Sequence, residues 1–450
     1  MAPAAILVLA LALRLPLIAG GQIDYDEGVY WESLRSMAAG HQLFGEIYSS
    51  QPPGFLLLLY PFFGLLGQSL LAARLGVLLL FLAGMVGAYR TVSLLAGRGA
   101  GLLAMAVLAA DPIGFRESVA LQSDAPAMAL ALLAVALGVQ AGAGGRGGGL
   151  AAAGAGALLA LAVLVKPLAG AAGAGLLLAL WMAPLPGRER VRSLALMAGG
   201  GLLAATAILL PFQPVWAELW RQSVGLHFVA RASELGGIDI HNSLPEVPLL
   251  AAGVAGLLVA LRRAPQLALV VGSWAAASAL MLAVQKPLWP HHLVALTVPL
   301  SLLAGGLAHL GTRFELGYLR GAAVVVIVAL SFWGAWRIQL GQMSDSHFRL
   351  AAAGIRAATS PSAPVVTDDQ YLAALAGRNT PPQLVDTSLV RVTSGDLSTE
   401  QVESIAQRSG ARAFVFATGR LTKLPGLEDW VRLNYPHRQQ LDDSHVLYTR

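Results

Sequence analysis

Three carboxylates fall within four positions in the run Asp24-Tyr25-Asp26-Glu27-Gly28-Val29-Tyr30-Trp31, directly after an apolar stretch. Like charges this close beside a hydrophobic segment are costly unless solvent, a cation or a substrate compensates them. A structural account exists: Asp26 caps a following helix and Glu27 sits at its positive end. A cap needs one acid and three are present, so the run is read as a site. Asp124, in Ser123-Asp124-Ala125-Pro126, is a second carboxylate, read either as a helix cap ahead of Pro126 or as a partner of the first group. Asp111-Pro112 reads as a helix stop. Cations to answer these acids are few: Lys166-Pro167, and the turn Lys286-Pro287-Leu288-Trp289-Pro290-His291-His292. A lone lysine can snorkel to a membrane edge. A lysine with two histidines between prolines and a tryptophan suits the neutralisation of a phosphate at headgroup level. Adjacent histidines on a helix point about 100° apart, which argues against both ligating one zinc ion. His227 and His241, in the 212–244 loop, are weaker candidates. An acid that accepts a hydroxyl proton and cations that receive a leaving phosphate together describe group transfer.

The elements that must position these residues are mostly membrane helices. Of the 450 residues, 56% are hydrophobic and only 12% charged, with a mean hydropathy of +0.65, against about a quarter charged in soluble domains. About eleven apolar runs of roughly 17–22 residues, the first at 4–20 and the last at 321–339, have the length that crosses ~30 Å of hydrocarbon. The first run lacks a basic amino end and is read as a span rather than a signal peptide. Basic residues collect in alternate loops, at Arg90 and Arg98, Arg146, Arg188 to Arg192, Arg262 and Arg263, and Arg313 and Arg320, which assigns those loops and the amino terminus to the cytoplasm. Of the 14 Asp and Glu in residues 1–340, only Glu189 and Glu315 share those loops, so the carboxylates gather on the extracytoplasmic side. The net charge of +5 therefore reflects membrane sidedness and not nucleic-acid binding. With no cysteine, disulfides and thiol chemistry are excluded.

In the first outer loop, 21–68, Tyr30, Leu34, Met37 and Ala38 recur at helical spacing against Glu32, Ser33, Arg35 and Ser36, which predicts an amphipathic helix in the membrane interface. Residues 1–340 are read as the membrane domain. After residue 341, eleven Lys and Arg balance eleven Asp and Glu, which predicts a separate water-soluble extracytoplasmic domain over 341–450. Strands are expected at Ala363–Thr367, Gln383–Val385 and Arg412–Ala417, helices near Gln370–Ala376 and Ser398–Ser409, and a closing hairpin at Gln439–Leu441 and His445–Tyr448. The expected fold is thus mainly α, a polytopic helical membrane protein with a small C-terminal α/β domain whose sheet is partly parallel.

The order of these features resembles the GT-C glycosyltransferases, and within them the bacterial branch related to protein O-mannosyltransferases and the lipid A aminoarabinose transferase. The features are Asp26, Glu27 and Tyr30 in the first outer loop, Pro52-Pro53 before the second span, Ser123–Pro126 at the fourth, Lys166-Pro167 after the fifth, and the late Trp289-Pro290-His291-His292 turn. The resemblance implies an enzyme of the plasma membrane. It would take a sugar from a polyprenyl-phosphate carrier and pass it, usually with inversion, to a lipid, glycan or protein acceptor outside the cytoplasm. By the same resemblance Asp26 is the catalytic base, Glu27 its companion and Asp124 a second cavity acid. Asp24, Tyr30, Gln51, Lys166, Lys286, His291 and His292 would contact substrate, the cations lying near the donor phosphate. Several relatives carry a lysine before the double proline where this chain has Ser50-Gln51, so dependence on a divalent metal stays open. A transporter or flippase is the rival reading, but transporters place ionisable groups at the bilayer midplane, often in inverted repeats, and no repeat is visible here. A noncatalytic scaffold would leave the carboxylates at the span ends without a purpose.

Overall fold

Apolar helices dominate the computed structural model, which describes residues 1–145, 147–230, 246–310 and 346–450, with 329 and 333. Among the described residues seven helices are long and apolar enough to cross a membrane, beginning with Ala2–Ala19 and ending with Pro290–His309. Gly54–Leu65, Arg98–Ala110 and Pro167–Trp181 are shorter apolar helices. The chain is a multi-pass membrane protein with a small C-terminal α/β region. The expected span at 321–339, save residues 329 and 333, lies outside the described residues, as do His241, Arg146, Arg313, Glu315 and Arg320. The chain divides into a helical unit, Met1–Ile18, Arg74–Pro211 and Gly237–Gly341, and a mixed unit, Ala19–Ala73, Phe212–Gly236 and Gln342–Arg450.

In the helical unit, small residues let neighbouring helices touch backbone to backbone. A Cβ on Gly156 would stand 1.8 Å from the Met197 carbonyl oxygen, and one on Gly200 would stand 2.1 Å from that of Ala153. The helices Gly148–Val165 and Gly187–Leu209 therefore meet along a seam that no larger residue fits.

The mixed unit is built on a four-stranded sheet of β1 (Val365–Thr367), β2 (Ala413–Phe416), β3 (His437–Gln440) and β4 (Val446–Thr449) in the order β1-β2-β4-β3. β1 and β2 are parallel, while β4 runs antiparallel to β2 and to β3. Alternate side chains serve two cores, as the two-residue strand period requires. Val366, Phe414 and Phe416 enter one core with Tyr435 and Tyr448, and Val365, Ala413 and Val415 enter the other with Ile355 and Leu372. β3 is exposed along its whole length and carries His437, Arg438, Gln439 and Gln440, a polar edge that discourages pairing with another chain. The helices Gln370–Leu375 and Thr399–Arg408 match expectation. The strand expected at Gln383–Val385 does not form: Pro381 and Pro382 lack ladder donors, and Pro382–Leu384 closes as a 3₁₀ turn instead.

The first outer loop belongs to this same unit. Its helix, Tyr25–Ala38, is capped by Asp24 rather than Asp26. Its polar face, expected to meet water, is covered by residues 369–380. Glu32 is fully buried, accepts the Thr380 N–H at 3.0 Å and is ion-paired with Arg35, which donates to the Arg378 carbonyl at 2.7 Å. Burial pushes the Glu32 carboxyl up, against the pull of Arg35. Trp31 meets the Tyr371 ring edge-on at 5.6 Å, and a Cβ on Gly28 would stand 2.3 Å from the Tyr371 nitrogen. Residues 212–230 meet the loop at several points: Gln222 accepts from Ser49 N at 3.0 Å and donates to the Phe44 carbonyl at 3.1 Å, His227 Nε2 lies 2.8 Å from the Ser50 carbonyl, and Phe212 packs edge-on against Phe44.

Two adjacent acids anchor the C-terminal part. Asp368 accepts backbone N–H groups of Ala417, Thr418, Arg420 and Leu421 at 2.7–3.3 Å, fixing the loop after β2. Asp369 caps the Gln370–Leu375 helix through Tyr371 N at 3.1 Å and takes a bond from Gln22 at 3.3 Å. Burial, then the neighbouring Asp368 charge, push the Asp369 carboxyl up to about 6.

Gly28→Val should separate the first-loop helix from residues 369–380, and limited proteolysis should then cut near residues 39–41 at rates the wild type does not show. Asp369 binds its proton more tightly folded than unfolded. Its stabilising effect is therefore complete below about pH 4 and lost as the pH rises through about 6. Asp369→Asn keeps the cap acceptor and removes the ionisation. Its thermal unfolding midpoint should fall less between pH 4 and 7 than that of wild type, and an unchanged profile would disprove the assignment.

Candidate functional site

Tyr25 fixes the start of the first-loop helix. Its hydroxyl lies 3.2 Å from Thr387 Oγ1 and accepts from Thr387 N at 3.2 Å, while the Arg420 guanidinium stacks on its ring at 3.7 Å. With Tyr25 pinned, Asp24 and Asp26 are held on either side of it, both half-buried. Asp24 Oδ1 accepts from Asp26 N at 3.3 Å. Glu27 is fully buried and its Oε2 accepts from Ile23 N at 2.6 Å, tying the entering chain to the helix. Two of the three acids thus organise the helix start, and Asp26 sits on its first turn at the positive end of the helix dipole. Tyr30 is buried edge-on against Phe55, with ring centroids 4.6 Å apart. Gln51 is half-buried, its carbonyl accepting the Ser49 hydroxyl at 2.9 Å, just before the Pro52-Pro53 turn into the Gly54–Leu65 helix.

The helical unit brings two of the expected residues together directly. Lys166 Nζ donates to Asp124 Oδ2 at 3.1 Å, with side-chain exposures of only 7% and 3%. Local sequence places each. Asp124 opens the helix Asp124–Gly142, and Lys166 ends Gly148–Val165 in an extended conformation ahead of Pro167. The His291–His292 rings are buried and packed edge to face at 4.5 Å in the 3₁₀ turn Pro290–Leu293, which packs against Pro112–Glu117. His292 Nδ1 accepts the Trp289 N–H at 3.2 Å, so a neutral His292 carries its proton on Nε2. Lys286 is exposed.

Sequence reasoning passed over several polar groups in this unit. Asp111, read as a helix stop, does end Arg98–Ala110 and leads into Pro112–Glu117, but its carboxylate is fully buried and accepts from Thr297 Oγ1 at 2.7 Å. Glu246 accepts from Ile113 N at 3.0 Å, which places a second buried carboxyl beside that helix. Glu117 is buried and ion-paired with Arg116. Gln122 is fully buried and neither its amide nitrogen nor its oxygen has a hydrogen-bond partner among the described residues. The available signal was the density of polar residues from 111 to 124, between two apolar helices. Among the described residues no group of three or more His, Asp and Glu stands close enough to hold a metal ion.

The family model for dolichyl-phosphate-mannose-protein mannosyltransferases matches residues 50–217. The whole chain is similar in structure to ArnT from Cupriavidus metallidurans, crystallised with undecaprenyl phosphate. The TM-score is 0.72 at 16% identity, covering 99% of this chain and 97% of that one. It is also similar to the archaeal oligosaccharyltransferase AglB from Archaeoglobus fulgidus, solved with an inhibitory peptide and a dolichol-phosphate, at a TM-score of 0.57 and 13% identity over 96% and 72% of the two chains. The arabinofuranosyltransferase AftD from Mycobacteria matches at 0.56 and 18% identity over 91% of this chain and 35% of its own. No curated protein matches by sequence. The chain has the GT-C fold, as the resemblance in its motifs implied.

Removing one member of a buried ion pair leaves the other uncompensated and costs about 3–5 kcal/mol, whereas replacing both is often neutral. Lys166→Met should therefore lower the thermal midpoint sharply, and adding Asp124→Leu should restore most of the loss. A double-mutant cycle with purely additive effects would show that the two groups do not depend on each other.

Proposed function

We propose that the protein is a membrane glycosyltransferase that moves a sugar from a polyprenyl-phosphate carrier to an acceptor on the extracytoplasmic side of the plasma membrane, with inversion at the anomeric carbon. The observation that carries this reading is the match of fold over essentially the full length of both chains to a transferase structure that holds undecaprenyl phosphate. The family model over 50–217, whose description names a dolichyl-phosphate sugar, supports it.

The reaction needs a base for the acceptor hydroxyl, and we assign that role to Asp26. It is half-buried on the first helical turn, at the positive end of the helix dipole, and it is held in place by its Tyr25 neighbour. Glu27 supports it by fixing the incoming chain. Departure of the lipid phosphate needs positive charge and hydrogen-bond donors. Lys166 supplies both; its pairing with Asp124 orients the ammonium group, which has two further N–H groups to donate. His292, with its proton on Nε2, is a second donor, and Gln51 stands as a neutral hydrogen-bonding group before Pro52-Pro53. The basic residues of alternate loops orient the amino terminus to the cytoplasm and the mixed unit to the other side.

Asp26→Asn preserves size and the helix start and removes the base. In proteoliposomes supplied with undecaprenyl-phosphate-linked hexoses and pentoses, it should lower transfer by about 10²–10⁴-fold while the thermal midpoint stays at the wild-type value. Turnover within about tenfold of wild type would defeat the assignment.

A further inference from the structure

The mixed unit contains an open cleft of ≈ 460 Å³, within the size range of small-ligand sites and built wholly from residues of that unit. Its floor is apolar, with Phe44, Leu397 and Ile405 all buried. Beside them the Tyr48 ring is covered by the Arg391 guanidinium, whose central carbon stands 3.5 Å from the ring centre.

The walls carry both signs of charge equally: Glu46, Glu218 and Glu400 against Arg221, Arg391 and Arg408. These groups already have hydrogen-bond partners. Glu46 accepts from Gln42 N at 2.9 Å, Glu218 from Arg221 Nε at 3.0 Å and Glu400 from Ser398 Oγ at 2.7 Å. Arg221 and Arg391 both reach Asp396, which lies outside the lining, the first at Oδ1 and the second at Oδ2. An anion would have to compete with Asp396 for Arg221 and Arg391 and with the Ser404 hydroxyl for Arg408, and a cation would find the carboxylates engaged. What the cleft offers is neutral in sum: remaining carboxylate lone pairs, remaining guanidinium N–H groups, the exposed amide of Gln383, and the NH2 group of Gln401, whose oxygen accepts the Ser398 N–H. Fixed donors and acceptors of both kinds around an apolar floor match a sugar ring, whose hydroxyls both give and accept hydrogen bonds and whose C–H face is apolar.

We propose that this cleft binds a neutral, hydroxyl-rich saccharide segment of the acceptor. Its place in the reaction rests on the transferase reading above; its binding does not. The test uses the purified full-length protein in detergent, applied to an array of neutral mannan, galactan, arabinan and N-acetylhexosamine oligosaccharides beside sulfated and phosphorylated ones, followed by titration of the best-retained oligosaccharide. Wild type should retain neutral oligosaccharides in preference to charged ones. Ser404→Trp, which fills the cleft from the Thr399–Arg408 helix, should bind about tenfold more weakly or not at all. Gln383→Trp does the same from another segment and serves if the first variant is unstable. Leu433→Trp, an equal change at a residue 82% exposed and outside the cleft, should bind as wild type does. Absence of neutral-saccharide binding, preference for the charged compounds, or wild-type binding by both cleft variants would overturn the proposal. Because binding is read without turnover, a wild type that binds saccharide yet transfers nothing overturns the transferase reading and leaves this one standing.

Discussion

A charge removed from water must take its partner with it, and the polar architecture of this protein follows from that requirement. In the helical unit the requirement is met by Asp124 and Lys166, which bury together at the ends of two otherwise apolar helices. Had either been alone, the unpaired charge would cost about 3–5 kcal/mol. In the mixed unit Glu32 is excluded from solvent only because Arg35 and the Thr380 amide reach it. The same rule shapes the region's loops. Asp368 is surrounded by four backbone N–H groups, and Arg391 is held by Asp396 and two carbonyl groups.

What could be read from the sequence was what depends on near neighbours. Apolar runs of spanning length, the parallel strands around Val366 and Phe414, the helices after Asp369 and Ser398, and the closing hairpin are all written in stretches of a few residues. Asp124 and Lys166 could each be singled out by their setting, but their union across 42 positions could not. Pairing partners are chosen by tertiary approach, and one sequence carries no record of it. The cap on the first-loop helix fell two residues earlier than expected because the cap is decided by backbone geometry. Asp24 is extended at φ −147°, and nothing about its side chain distinguishes it from Asp26.

The polar face of that helix shows the same limit more sharply. Glu32, Ser33 and Ser36 alternate with apolar residues as on any solvent-facing surface, yet all three are buried. Periodicity reports that two faces differ; it does not say whether water or another part of the chain lies beyond the polar one. Asp111 had a complete local explanation in the proline beside it, and nothing next to Glu246 in the sequence marks its approach to Ile113, 133 positions away.

The mixed unit is assembled from three stretches separated by the helical segments, and this has a bearing on biosynthesis. At about 5–20 residues per second, the ribosome delivers Thr380 on the order of tens of seconds after Glu32. Throughout that interval the nascent first-loop helix carries an acid, a tryptophan and a bare glycine face with no companion. The terminal 109 residues, Gln342–Arg450, share their unit with Ala19–Ala73 and Phe212–Gly236. A fragment expressed from residue 342 onward would leave Tyr371 and Arg378 without the helix that covers them, and in any chain truncated before that residue cellular quality control would meet the opposite face, that of the uncovered helix.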